Sequence, residues 1–310
     1  MYRIGVDLGG TNIAVGLVND NYEIVKKSST PTFATREAAL IVDDIARLCK
    51  KVCADAGIEL SAVESIGVAS PGLVNNEKGM VEYANNLPFM NLPMSEMLRE
   101  RLDFENISLA NDANAAALGE ATAGAAKGTS SSVMVTLGTG VGGGVIIDGK
   151  LLCGFNCAAG ELGHIVIEAN GRQCTCGRRG CWETYSSATA LTKMTNEKIE
   201  ECRAAGRYTK MFEAERVNGR TACDCMRMGD EAAKEVYDKY VQYLAIGLTN
   251  IINIFEPEVI SLGGGISGEG QSLIDALLPL IVGNNDAEKR TSLRIATLGN
   301  DAGIIGAAAL

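Results

Sequence analysis

The chain has 310 residues, 46% of them hydrophobic, and a formal net charge of −10. That is long enough for two domains, or one large one, with an ample core. The acidic balance and the lack of a basic run argue against nucleic-acid binding; no signal-peptide region or apolar stretch of bilayer length occurs, so no membrane partner is expected. A cytoplasmic location, in which the ten cysteines stay thiols, is expected.

Strands are predicted from Tyr2 to Leu8 and from Asn12 to Val18, then a turn at Asn19-Asp20-Asn21 and a third strand from Tyr22 to Lys27, all antiparallel. A helix follows with Thr35 as N-cap; Ile41, Ile45, Leu48 and Val52 share one face and Gly57 closes it. Ser65 to Ala69 reads as a buried strand, and Ile107 to Ala110 as another that leads into an alanine-rich helix. A similar order recurs, with strands from Ser132 to Leu137, Gly144 to Ile147 and Lys150 to Cys153, then helices around Ala188 to Gly206 and Glu231 to Phe255, the last stopped by Pro257. A strand from Val259 to Leu262, a helix through Leu280, a strand from Leu293 to Leu298 and a small-residue helix capped by Asp301 complete the chain. Two halves of similar outline predict a duplicated α/β fold with a ligand cleft between them.

Three apolar strands run into glycine turns: Gly9-Gly10-Thr11-Asn12 after Asp7-Leu8, Gly138-Thr139-Gly140 with Gly142 to Gly144, and Gly263-Gly264-Gly265. Glycines let an anion reach backbone N–H groups, although each turn alone also reads as a tight hairpin. A strand follows Gly138-x-Gly140-x-x-Gly143 where a dinucleotide loop needs a helix, and no P-loop sequence occurs. Three such loops together favour a nucleotide held mainly by backbone. Asp7 is placed to orient hydrated Mg²⁺, or else serves as a strand-end turn residue.

His164, the single histidine, precedes Cys174, Cys176 and Cys181. One imidazole and three thiols in a short loop turned by Gly177 and Gly180 predict a closed tetrahedral zinc site, structural because no coordination position stays open. The competing readings are buried apolar cysteines and disulfides, but the other seven cysteines show no framework spacing, and Cys223-Asp224-Cys225 has no histidine near it. Glu161 and Glu183 would stand beside the metal. Asp112 opens the alanine-rich helix; it reads as a cap, as a cleft-facing general base for a hydroxyl, or as both.

Asp7 to Asn12, Ser70-Pro71-Gly72, Asn111-Asp112-Ala113-Asn114, Leu137 to Gly144, and Glu161-Leu162-Gly163-His164 with Cys174, Cys176, Cys181 and Glu183 together resemble the motifs of the ROK family of sugar kinases (repressor, open reading frame, kinase). The likeness runs from Met1 to Leu310 and is strongest to the ATP-dependent glucokinases of Gram-positive bacteria. It implies an actin-like ATPase fold of ribonuclease H-like halves. Residues 1–117 with 300–310 would form a small lobe, and 118–299 a large lobe carrying the zinc loop 164–181.

The resemblance further implies transfer of the γ-phosphate of ATP to the 6-hydroxyl of glucose, with Asp112 as general base. Asn111, Glu161, His164 and Glu183 would bind the other sugar hydroxyls, with Asn85 and Gly72 lining the pocket. Gly9, Gly10, Thr11, Asn12, Thr139 and Gly140 would hold phosphates, and Gly264 would lie against adenosine. A homodimer is expected. Fructose, N-acetylglucosamine, N-acetylmannosamine and allose are alternative substrates; Leu73, where an N-acetylmannosamine kinase would carry arginine, weighs against that sugar. Family repressors carry an N-terminal helix-turn-helix for which a first strand at Tyr2 leaves no room, and a non-catalytic sugar sensor is opposed by Asp112.

Overall fold

The computed structural model describes residues 1–281 and 291–310; part of the expected 118–299 lobe therefore lies outside the described residues. The chain opens with β1 (Tyr2–Leu8), β2 (Asn12–Asn19) and β3 (Ile24–Pro31), then α1 (Ala38–Ala56), β4 (Val63–Ser70), β5 (Leu73–Asn75), β6 (Met80–Tyr83), β7 (Met90–Leu92), α2 (Met94–Leu102), β8 (Ile107–Asn111) and α3 (Asp112–Ala123). There follow β9 (Ser132–Leu137), β10 (Val141–Ile147), β11 (Lys150–Leu151), α4 (Glu183–Ser186), α5 (Ala188–Ala204), α6 (Thr221–Arg227), α7 (Glu231–Phe255), β12 (Val259–Gly263), α8 (Gln271–Leu277), β13 (Ser292–Ile295) and α9 (Ala302–Ala308). One sheet has the order β3-β2-β1-β4-β8 and a second the order β11-β10-β9-β12-β13, which is the duplicated outline read from the sequence; β5-β6-β7 form a small third sheet.

The chain divides into two compact units, residues 1–134 with 144–160 and 296–310, and residues 135–143 with 161–295. In the first, β1 and β2 bury Ile4, Val6, Leu8, Ile13, Val15 and Leu17 with the apolar face of α1, Ile41, Ile45, Leu48 and Val52. Register puts Gly5 opposite both Gly16 and Gly67, so three neighbouring strands offer a row without side chains. Helix α9 lies on that row. A Cβ on Gly5 would overlap the Ile304 carbonyl, and one on Gly67 the Ala307 carbonyl. On its other side α9 meets α3 as closely, Gly306 resting on the Ala115 carbonyl.

Because the atom in the way at Gly306 is backbone, it cannot rotate aside. Gly306→Ala is therefore expected to destabilise the fold by about 3 kcal/mol, at the upper end of overpacking costs, read as a lower midpoint in urea unfolding.

Several element boundaries differ from expectation. Helix α1 starts at Ala38, and its N-cap position, Glu37, makes no side-chain cap, so Thr35 lies in the preceding turn. Strand β3 begins later and runs on to Pro31, because Tyr22 takes a left-handed backbone (φ 60°) in the turn. Strand β13 stops at Ile295, since the Thr297 and Leu298 N–H groups donate to the Glu120 carboxylate instead of continuing a ladder. Asp301 makes no cap for α9; its carboxylate pairs with Lys27 of β3.

Candidate active site and metal centre

In the second unit the sulfur loop closes on itself. The Cys174 N–H donates to the Arg178 carbonyl (2.9 Å) and the Gly177 N–H to the Cys174 carbonyl (3.1 Å), with Gly177 at φ 88°. The Trp182 N–H donates to Ile165 (2.9 Å), tying the loop's end to the residue after His164. His164, Cys174, Cys176 and Cys181 thereby bring one ligand atom each within 4.8 Å of one another. Cys176 and Cys181 sulfurs are 3.6 Å apart, and Cys174 Sγ lies 3.7 Å from His164 Nδ1. A tetrahedron with metal–sulfur bonds of about 2.3 Å has edges of about 3.8 Å, so these separations fit a zinc-sized ion.

The donor chemistry fits as well. All ten cysteines are free thiols. The Arg178 side chain holds exposed Cys176 down at about 6, so this thiol ionises readily, whereas burial pushes Cys174 up to about 12. A bound dication would offset the cost of ionising the buried thiols. Cys174 also donates to Glu183 Oε1 (3.1 Å), and His164 Nδ1 is 3.7 Å from the same oxygen, so Glu183 stands beside the cluster as expected. Glu161 sits one turn before His164 with its side chain exposed; its carbonyl accepts from the His164 N–H (3.0 Å).

The second glycine loop belongs to the same unit. The Ala188 N–H donates to Gly138 (2.8 Å) and the Thr189 hydroxyl to the Thr139 carbonyl (2.7 Å), fixing the loop to the start of α5. Glu183 packs against Gly140, where a Cβ would come within 2.6 Å of Oε2. Thr139, Gly140 and Glu183 line one cavity of about 340 Å³ with Arg172, Ser187 and Lys193. One residue set expected on phosphate thus adjoins one expected on sugar. Gly264, at φ 83°, presses on the Leu137 backbone, and Gly265 borders a further cavity of about 390 Å³ lined by Arg220, Asp224, Arg227 and Glu269.

In the first unit the cap of α3 is Asn111, not Asp112: Asn111 Oδ1 accepts from the N–H groups of Ala113 (3.0 Å) and Asn114 (3.3 Å). Asn111 Nδ2 donates to the Gly72 carbonyl (3.0 Å), bringing two expected sugar-pocket residues together. Asp112 occupies the first helical position, where Oδ1 accepts from Ala113 (2.9 Å). Burial raises its pKa. Gly9 to Asn12 form a tight turn, the Gly9 N–H donating to Asn12 (2.9 Å), while Thr11 and Asn12 are exposed. Gly10 lies against Asn86, next to exposed Asn85.

Asp7 at the end of β1 points at the start of α9, where a Cβ on Gly303 would come within 2.8 Å of its carboxyl carbon. Burial, then the charge of Asp112, raises Asp7 to about 6; Lys27 opposes the shift. The pairing of Lys27 with Asp301 and the thiol-steering role of Arg178 escaped the sequence reading. Arg178 had a signal in its position between two cysteines, whereas the Lys27–Asp301 pair spans most of the chain and had none.

A carboxylate raised in the folded state destabilises that state once ionised. Without Mg²⁺ or nucleotide, stability should therefore fall between pH 4 and 6, reaching a cost of about 3 kcal/mol above that range. Asp7→Asn is expected to recover most of that cost at pH 7.5 and nothing at pH 3.5; the difference between the two proteins' urea midpoints across pH measures it. An equal difference at both pH values would contradict the assignment.

Comparison with known proteins places this arrangement. The model of the ROK family matches residues 3–310. A glucokinase of Thermotoga maritima is 36% identical over 319 aligned positions, covering 99% of this chain and 96% of that protein. Among solved structures, a ROK family glucokinase from Streptomyces griseus in complex with glucose and AMPPNP aligns at 31% identity and TM-score 0.78, covering 100% of this chain and 98% of that one. A ROK hexokinase from Thermus thermophilus aligns at 31% identity and TM-score 0.81, covering 99% and 97%. The expected fold class, an actin-like ATPase of two α/β halves, agrees with these structures. Matched by the family model along nearly its whole length and similar to its kinases in sequence and fold, the chain belongs to the ROK family.

Proposed function

We propose that this protein is a glucokinase, transferring the γ-phosphoryl group of ATP to the 6-hydroxyl of glucose with Asp112 as general base. The observation that carries the reading is at the head of α3. Asn111 supplies the main cap, so the Asp112 carboxyl, raised by desolvation yet reachable from solvent, stands at a helix start beside Asp7. A base for a sugar hydroxyl needs such placement and a pKa lifted toward neutrality.

In this reading Asn111, Glu161, His164 and Glu183 bind the remaining hydroxyls, with Gly72 and Asn85 lining the sugar pocket. Backbone N–H groups of Gly9, Gly10, Thr11, Asn12, Thr139 and Gly140 receive the phosphates. Adenosine lies at Gly264 and the cavity next to it. Asp7 would hold the hydrated Mg²⁺ that comes with ATP, whose charge would offset that of the phosphates. His164, Cys174, Cys176 and Cys181 would hold a structural Zn²⁺, which fixes the imidazole through one nitrogen and leaves the other toward sugar.

Positioning and charge neutralisation supply most of the acceleration, as in other phosphoryl transfers. The two lobes of this reading are residues 1–117 with 300–310 and residues 118–299. A homodimer in the cytoplasm completes the proposal; no helix among the described residues is long and apolar enough to cross a membrane.

The test is ADP release from Mg-ATP across a hexose panel. Glucose should give the highest kcat/KM. Preference for fructose, N-acetylglucosamine, N-acetylmannosamine or allose would keep the kinase and change its substrate, and no response to any sugar would favour a non-catalytic sensor.

A further inference from the structure

Glu120 is fully buried, two turns along α3 from Asp112, and four neutral donors converge on its carboxylate. Oε2 accepts from the Ala125 N–H (2.6 Å), the Thr297 N–H (3.1 Å) and the Thr297 hydroxyl (3.3 Å); Oε1 accepts from the Leu298 N–H (2.8 Å). A buried carboxylate is a costly way to satisfy backbone donors, but its hydrogen bonds are short and directional. Here they fasten the end of α3 to the segment that leads into α9. That segment begins where the chain passes from the second unit to the first, between Ile295 and Ala296.

The fastening closes a ring of rigid parts. Helix α3 carries Asp112 in its first turn and rests through Ala115 on Gly306 of α9; α9 presents Gly303 to the Asp7 carboxyl. Residues 297–298, at the entrance to α9, bind Glu120 of α3. We propose that Glu120 is a positioning residue for phosphoryl transfer, holding α3 and α9 in the one register that sets Asp112 against Asp7. The inference rests on the kinase reading with Asp112 as base. Misplacement of reacting groups by about 1 Å costs on the order of 100-fold in rate, so a looser ring should lower turnover without touching either substrate.

The experiment compares Glu120→Gln with wild type. An amide presents one oxygen and one NH₂ to the two donor sets, so at least one N–H faces another donor. The expected result is a kcat about 10- to 100-fold lower, with KM for ATP and glucose, and glucose affinity read from the fluorescence of the sole tryptophan, Trp182, within about threefold. Assays run well below each variant's Tm, beside Leu98→Ala, a cavity in the core under α1 with a comparable loss of Tm. A kcat loss no larger than that of Leu98→Ala, or a rise in KM with kcat unchanged, overturns the proposal.

If Glu120→Gln does not fold, Thr297→Ala removes one donor from the same carboxylate; kcat should fall by about threefold or more, and an unchanged kcat overturns the proposal. Asp112→Asn assayed in parallel separates the two ideas. Near-normal turnover there removes the base, whereas an inactive Asp112→Asn beside a normal Glu120→Gln removes only this inference.

Discussion

Asp112→Asn is expected to lower kcat by about 10²- to 10⁴-fold, the range that a positioned general base contributes, while glucose affinity changes by less than about threefold. The amide keeps the shape of the side chain and can still accept from the Ala113 N–H. It cannot take the proton of the 6-hydroxyl. Since Asn111 makes the helix cap, the substitution leaves α3 anchored, and the effect should appear in kcat with no loss of Tm. Asn caps a helix as well as Asp does, so a capping role alone would leave both kcat and Tm unchanged in this variant. Steady-state kinetics with a Trp182 fluorescence titration for glucose separate these outcomes, and near-normal turnover would remove Asp112 as base.

Cys176→Ser and His164→Ala should lose metal and sugar affinity together. Each removes one of four ligands from a set whose spacing fits a single ion, and loss of a ligand or of its support typically costs about 10- to 100-fold in metal affinity or activity. Wild-type protein is expected to carry about one zinc per chain by mass spectrometry of the metal, and both variants much less. The glucose KM should rise by about tenfold in Cys176→Ser and further in His164→Ala, which also loses a proposed sugar contact. Wild-type protein purified without zinc, or Cys176→Ser with normal KM, would contradict the coupling of metal to sugar.

Much of this architecture is legible in the chain because single forces dominate locally. The apolar spacing of Ile41, Ile45, Leu48 and Val52 specifies α1, and alternation in the first strands specifies the sheet they bury. The sulfur loop is legible because a tetrahedral ion needs just such a set of donors. Strands β5 to β7 are three or four residues long, too short for a periodic signal. Strand β3 is polar and mostly exposed, so its extension to Pro31 follows from pairing with β2 rather than from its own pattern.

Asn111 and Asp112 are both good caps, and only the backbone decides that the first is extended and the second helical. Glu120 in an alanine-rich helix reads as a solvent-facing residue; its burial depends on donors 177 and 178 positions away. The glycines Gly5, Gly16 and Gly67 gain their meaning only when register sets them in a row beneath α9.

Phosphoryl transfer to the sugar is tested most directly by following purified protein with Mg-ATP and glucose by phosphorus NMR. A hexose 6-phosphate signal should grow in step with ADP and be lost in Asp112→Asn. ATP left intact, or ADP accompanied only by inorganic phosphate, would contradict it.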